Sequence, residues 1–186
     1  METFKTIRDS DIGSDEIEPE HFLERKAARA VVFDRKNKVA LFHSTMKKYH
    51  KLPGGGVEEG ESLETALRRE LSEEIGCEIG SIHELGIVEE YRNKVGLHQF
   101  SYCYIADVSG KKKTPHLEAG EIAEGFVTEW LDLDAAIETL ENEKDVEDYE
   151  GKFIQMRDLI FLYETKKVIK KLPFGHQEGV GIVGYI

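Results

Sequence analysis

Residues 55–77 read GGVEEGESLETALRRELSEEIGC, and the fold follows from how this stretch divides. With the preceding KLPG of residues 51–54, its first part carries Pro53 and the glycines Gly54, Gly55 and Gly56. Such a run cannot be regular helix and suits a loop whose backbone comes close to something. The second part follows Ser62, a residue type that caps helices, and runs LETALRRELSEEI before Gly76 supplies a stop. Its apolar residues Leu63, Ala66, Leu67, Leu71 and Ile75 recur with the period of an amphipathic helix. At about 100° per residue, with Glu70 at zero, Leu63 falls at about 20°, Leu67 at about 60°, Leu71 at about 100° and Ala66 at about −40°. On the same wheel Glu74 lies at about 40° and Glu73 at about −60°. The carboxylates therefore enter the apolar sector instead of opposing it.

A solvated acidic face is the ordinary reading of a charge run, and the wheel argues against it here. Like charges gathered beside a core raise one another's pKa and are costly unless something compensates them. A divalent cation would do so. Ligation by carboxylates alone suits Mg²⁺ or Mn²⁺ better than zinc, and Mg²⁺ keeps waters and takes substrate phosphate oxygens as further ligands. Arg69 stands four residues before Glu73, within reach of a helical ion pair. Glycines 54–56 allow a backbone carbonyl to face the same metal.

Gly55, Glu61, Arg69, Glu70, Leu71, Glu73, Glu74 and Gly76 match the Nudix box position by position, so this segment resembles the Nudix hydrolase family. Only Cys77 departs, at a final aliphatic place where a small apolar residue costs little. The resemblance implies an α/β chain with the Nudix fold, an αβα sandwich with a mixed β-sheet. It implies Mg²⁺-dependent hydrolysis of a diphosphate bond in a nucleoside diphosphate derivative, water attacking phosphorus while metal lowers that water's pKa. Glu70, Glu73, Glu74 and the Gly55 carbonyl would hold the metal, Glu70 and Glu73 counting also as catalytic, with Glu61 and Arg69 supporting loop and helix. Family members often take a further carboxylate from a loop corresponding here to HLEAGEIAEG, residues 116–125. Glu118, Glu121 and Glu124 are the candidates, and Glu121, at the loop's middle, is favoured as the base. Neither the SQPWPFPxS array resembling NADH hydrolases nor a proline between Cys77 and Lys113, as in ADP-ribose hydrolases, is present. A MutT-like role on nucleoside triphosphates, oxidised ones included, is the default. The competing reading is a non-catalytic nucleotide or ADP-ribose sensor on the same fold, which degraded box glutamates would have favoured.

Around this segment the chain reads as one domain over residues 25–172, with an acidic N-terminal arm or edge strand over 1–24 and an apolar, glycine-rich tail over 173–186 that the sequence does not place. KAARAVVFD and VALFHS suggest a hairpin, Ile82 to Arg92 and Gln99 to Val108 two further paired strands, and GFVTEWLDL a strand leading into the helix DAAIETLEN. A last helix is expected from about Phe153 to Lys171, ended by Pro173. Residues 109–124 read as a polar loop. The 186 residues carry 37 acidic and 25 basic side chains, a net charge of −12, which argues against binding duplex nucleic acid or anionic membrane. A nucleotide-type substrate would need its bridging cation. Cys77 and Cys103 form no disulfide or zinc framework, and the seven histidines, His43, His50 and His98 among them, show no paired ligand spacing, so they read as surface or strand residues. No signal-peptide or membrane-spanning stretch is evident, and a cytoplasmic location is expected. The oligomeric state is left open, a homodimer included.

Overall fold

The computed structural model describes residues 1–171 apart from residues 16 and 145, so the tail of residues 173–186 lies outside the described residues. The elements run β1 (Thr3–Ile7), β2 (Leu23–Phe33), β3 (Val39–Ser44), β4 (Tyr49–Lys51), β5 (Gly54–Gly56), α1 (Leu63–Ile75), β6 (Glu78–Arg92), β7 (Leu97–Ser109), α2 (Ala119–Ala123), β8 (Phe126–Leu131), α3 (Leu133–Asn142) and α4 (Tyr149–Lys171). One sheet of order β1-β6-β7-β2-β3-β4 forms the middle layer, β5 pairing with β2 and β8 with β3. It is mixed: β1 lies parallel to β6 and β2 parallel to β7, while the other pairs are antiparallel.

The buried run Ala27–Phe33 of β2 shows why the sheet is covered on both sides. Alternate residues of a strand face opposite ways, and here Ala28, Ala30 and Val32 pack with Leu67 and Leu71 of α1, while Val31 and Phe33 pack with α3 and α4 through Leu140, Phe153 and Phe161. A strand with two buried faces has no polar alternation to display. α1 begins where Ser62 accepts the Thr65 N–H at 3.1 Å and ends at Gly76, whose φ of 62° is left-handed. A Cβ at Gly76 would stand 2.1 Å from the Lys113 carbonyl oxygen, so the stop is enforced sterically as well.

Three readings change, and the open one for the N-terminal segment is decided. The glycine run is not a free loop: Gly54, Gly55 and Gly56 pair with Arg29, Ala28 and Ala27 as a short strand, which residues without side chains can do at close quarters. The N-terminal segment supplies an edge strand, and the Asp9 that follows it is buried, accepting from the Asn93 N–H at 3.0 Å and the Tyr149 hydroxyl at 2.6 Å. The polar stretch before β8 contains the short helix α2. The last helix starts four residues early, at Tyr149, because the Asp148 carboxylate accepts the Gly151 N–H at 2.8 Å; its polar first turn carries no apolar period to betray it.

Between β6, β7 and α4 lies a buried charge network. Glu90 is fully buried and accepts from Arg92 at 2.7 Å, Gln99 at 2.8 Å and Ser101 at 3.0 Å, with Arg157 of α4 at 3.6 Å. Burial pushes the Glu90 carboxyl up, but Arg157 and Arg92 more than offset this and leave it below the ordinary carboxylate range. Arg157 in turn holds Asp158 at 2.7 Å, and Asp158 accepts the Leu52 N–H at 2.8 Å, fixing the corner between β4 and β5. Glu90→Gln would leave buried guanidinium groups short of a counter-charge, and we expect a loss of about 3–5 kcal/mol in chemical denaturation. Because the folded-state pKa is depressed, Glu90's contribution is present above the unfolded pKa and lost as pH falls. The gap between parent and variant should therefore narrow in acid.

Candidate active site

α1 and the β4–β5 corner build one site because Glu74 joins them. Its carboxylate, 2% exposed, accepts the Lys51 ammonium at 2.8 Å and the Gly54 N–H at 2.6 Å. Burial pushes this carboxyl up and Lys51 pulls it partly back. Glu70, one turn earlier, is raised by burial and then by the charge of Glu74, against the pull of Arg69. Gly55 lies so near it that a Cβ would stand 2.3 Å from Glu70 Oε1. Only glycine lets this backbone meet that carboxylate.

Arg69 organises the opposite rim. Its guanidinium reaches Glu61 at 3.0 Å, Glu70 at 2.9 Å, Glu73 at 3.2 Å and the Gly56 carbonyl at 3.0 Å, while Glu61 also accepts the Glu58 N–H at 3.1 Å. Loop and helix are thereby tied through a planar fork that a lysine could not imitate. The three box glutamates do not face one point. Glu70 and Glu74 line a cavity of about 580 Å³, whereas the Glu73 carboxylate, 37% exposed, is turned to Arg69. The helical wheel placed Glu73 at the edge of the apolar sector, and a long side chain at an edge follows its nearest cation.

The cavity runs from Glu70 and Glu74 past β5 towards Arg92 and Glu150, and Glu118, Glu121 and Glu124 form its far wall. Glu121 Oε2 accepts the Glu118 N–H at 3.0 Å, closing the first turn of α2, and its charge is felt by Glu74. Glu124 is paired with Lys47 at 3.0 Å. Sequence reading missed the cations of this cavity, Arg25, Arg29, Lys47 and Lys51. Arg29 donates to the Gly54 carbonyl at 2.5 Å, and burial lowers its pKa to about 10. One signal was present: an arginine inside the apolar run of β2 must have a partner. Arg92 also lines the cavity, while Tyr91 and His98 stack on each other, ring centroids 4.1 Å apart.

The donors fit a hard divalent cation. All are oxygens, one carboxylate is buried and the other half-buried, both with raised pKa values, and the glycine backbone closes upon the half-buried one.

Comparison with known proteins agrees with this geometry. A family model of the NUDIX domain matches residues 23–156. An 8-oxo-dGTP diphosphatase of Buchnera aphidicola subsp. Schizaphis graminum (strain Sg) is 31% identical over 104 residues, spanning 54% of this chain and 72% of that protein. Among solved structures, a MutT NUDIX hydrolase from Burkholderia pseudomallei superimposes with a TM-score of 0.52 at 19% identity, covering 73% of this chain and 98% of its own. A NUDIX hydrolase from Nitrosomonas europaea does so with a TM-score of 0.54 at 18% identity, covering 73% and 92%. These two likenesses concern the fold. The chain belongs to the NUDIX family. Within it the chain is a MutT-like hydrolase acting on pyrophosphate bonds, so the non-catalytic reading falls away.

A carboxylate raised in the folded state favours folding less as pH rises through the interval between its unfolded and folded pKa values. Glu70→Gln removes that penalty. In metal-free buffer the stability of Glu70→Gln relative to the parent should therefore increase as pH rises through and above the ordinary carboxylate range, where a raised carboxyl ionises. Parallel curves for parent and variant would show that Glu70 is not strained by its charge.

Proposed function

We propose that this protein hydrolyses nucleoside triphosphates, oxidised purine triphosphates among them, in a Mg²⁺-dependent reaction giving a nucleoside monophosphate and pyrophosphate. The single observation that carries the reading is the pair of pKa-raised carboxylates, half-buried Glu70 and buried Glu74, lining a cavity that also holds arginines and lysines. The name of the 31%-identical relative, an 8-oxo-dGTP diphosphatase, supports the substrate class. A volume of about 580 Å³ lies within the roughly 300–1,000 Å³ of small-ligand clefts.

Glu70, Glu73, Glu74 and the Gly55 carbonyl would hold Mg²⁺, or Mn²⁺ in its place, Glu73 swinging from Arg69 to do so. When bound, the metal lowers the pKa of the attacking water and neutralises charge developing on the phosphates. Arg25 and Lys47 compensate the remaining phosphate charge, and Lys51 keeps Glu74 ionised in its buried position. Arg69 holds the glycine loop against the helix so that the Gly55 carbonyl stays in place. Glu121 on the far wall accepts the proton of the attacking water. The oxygen of that water then bonds to phosphorus as the bridging P–O bond breaks towards the leaving group.

A screen with Mg²⁺ against 8-oxo-dGTP, the common nucleoside triphosphates, dinucleoside polyphosphates, nucleotide sugars and ADP-ribose, with products identified, tests the substrate. Turnover should be lost on chelation and should fall by orders of magnitude in Glu70→Gln and Glu74→Gln; full turnover in metal-free buffer would overturn the metal requirement. In the far wall, Glu118→Gln, Glu121→Gln and Glu124→Gln should be assayed separately at saturating metal. Glu121→Gln alone should lose about 10²-fold or more in kcat, the usual contribution of a general base. If all three stay within about twofold of the parent, roughly 0.5 kcal/mol in barrier, the wall takes no part in proton transfer.

A further inference from the structure

Spacing along the chain does not group the histidines, but the sheet does. β3 and β4 set His43 directly opposite His50, their rings stacked with centroids 4.0 Å apart. Glu129 of β8 points at both, its Oε1 3.1 Å from His43 Nδ1 and its Oε2 3.6 Å from His50 Nε2. Ligand-capable atoms of all three lie within 4.8 Å of one another. Among the described residues no other such group of histidine, cysteine and acidic side chains is found.

His50 shows which nitrogen is offered. Its Nδ1 is bonded to the carboxylate of Glu143, just past α3, which also accepts the His50 backbone N–H at 2.9 Å. A carboxylate accepts only, so Nδ1 carries the proton, and in the neutral ring Nε2 is the nitrogen with the lone pair. His50 is 8% exposed, and its Nε2 is buried with no hydrogen-bond partner. A carboxylate behind an imidazole whose other nitrogen is free is the arrangement that orients metal-binding histidines and raises their basicity. The spacing suits an ion as well. Bonds of about 2.0–2.2 Å at tetrahedral angles put neighbouring donor atoms roughly 3.3–3.6 Å apart; one Glu129 oxygen lies 3.1 Å from His43 and the other 3.6 Å from His50, and a turn of the partly exposed His43 ring out of its stack would aim both imidazole lone pairs at one ion.

We propose that His43, His50 and Glu129 bind a late first-row divalent ion, Zn²⁺ by its donor set, with Glu143 as the positioning residue for His50. Two imidazoles and one carboxylate match the preference of Zn²⁺ and are poor ligands for Mg²⁺. The site is separate from the all-oxygen site of the cavity. Successive residues of β4 face opposite ways, so Lys51 goes to Glu74 while His50 goes to the other side of the sheet, and none of His43, His50 and Glu129 lines the cavity. Partial exposure of His43 and Glu129, 24% and 40% by side chain, leaves an ion a way in and a position for water.

The test titrates Zn²⁺ into untagged protein against a chromophoric chelator, with excess Mg²⁺ present to keep the cavity carboxylates occupied. The parent should take up one equivalent, and Co²⁺ in its place should give visible ligand-field bands. His43→Ala and Glu129→Gln change partly exposed residues, so their folding can be verified by circular dichroism, and each should weaken uptake at least tenfold. Glu143→Gln should weaken it by about 10- to 100-fold through His50. A Glu70→Gln, Glu74→Gln double variant should still take up its equivalent. No stoichiometric uptake by the parent, unchanged uptake in both His43→Ala and Glu129→Gln, or loss of uptake only in the cavity double variant would each overturn the proposal.

Discussion

A carboxylate that has lost its water must be met by other charges or donors, and the structure around Glu74 is arranged by that requirement. Lys51 comes from β4 and the Gly54 N–H from β5, so a helix, a strand and a glycine corner are drawn to one pair of oxygen atoms. Asp158 fixes the same corner from behind by accepting the Leu52 N–H. The geometry of the cavity therefore rests on two buried carboxylates, Glu74 and Asp158, holding the stretch from Lys51 to Gly54. Both can be buried only because each is supplied with more than one donor.

The compensation is internal but incomplete. Glu70 and Glu74 both stay above the ordinary carboxylate range, whereas Glu90, as buried as Glu74, lies below it. The difference is the number and nearness of guanidinium groups: Arg92 and Arg157 at Glu90, against one lysine at Glu74. A site that leaves its acids short of positive charge has a use for a cation, and a site that saturates them has a structural use only. That contrast separates the functional from the structural carboxylates of this chain more sharply than burial does.

β4 carries the same logic in three residues. Lys51 serves the α1 face and His50 the opposite one, so adjacent positions of a short strand belong to two different polar clusters. Each is anchored across the hairpin by its partner in register, Phe42 beneath Lys51 and His43 beside His50.

Much of this was legible in the sequence. The helix of α1, its caps and the direction of Glu70 and Glu74 follow from the 3.6-residue period, because local period and local hydrogen bonding decide a helix whatever surrounds it. The strands β2, β3, β6, β7 and β8 follow from apolar runs and alternation, the box from its spacing, and the mixed α/β sandwich from the family resemblance that the box carries. Tertiary structure alone decided the rest. Arg69 bridges Glu73 and Glu70 through one nitrogen, Lys51 arrives at Glu74 from 23 residues upstream, and the glycine run becomes a strand once β2 lies beside it. His43 and His50, unremarkable seven residues apart, meet only when a hairpin sets them in register and β8 brings Glu129 alongside. A side chain's partner across a sheet is fixed by register and not by distance along the chain, so clusters of this kind have no local period for the sequence to show.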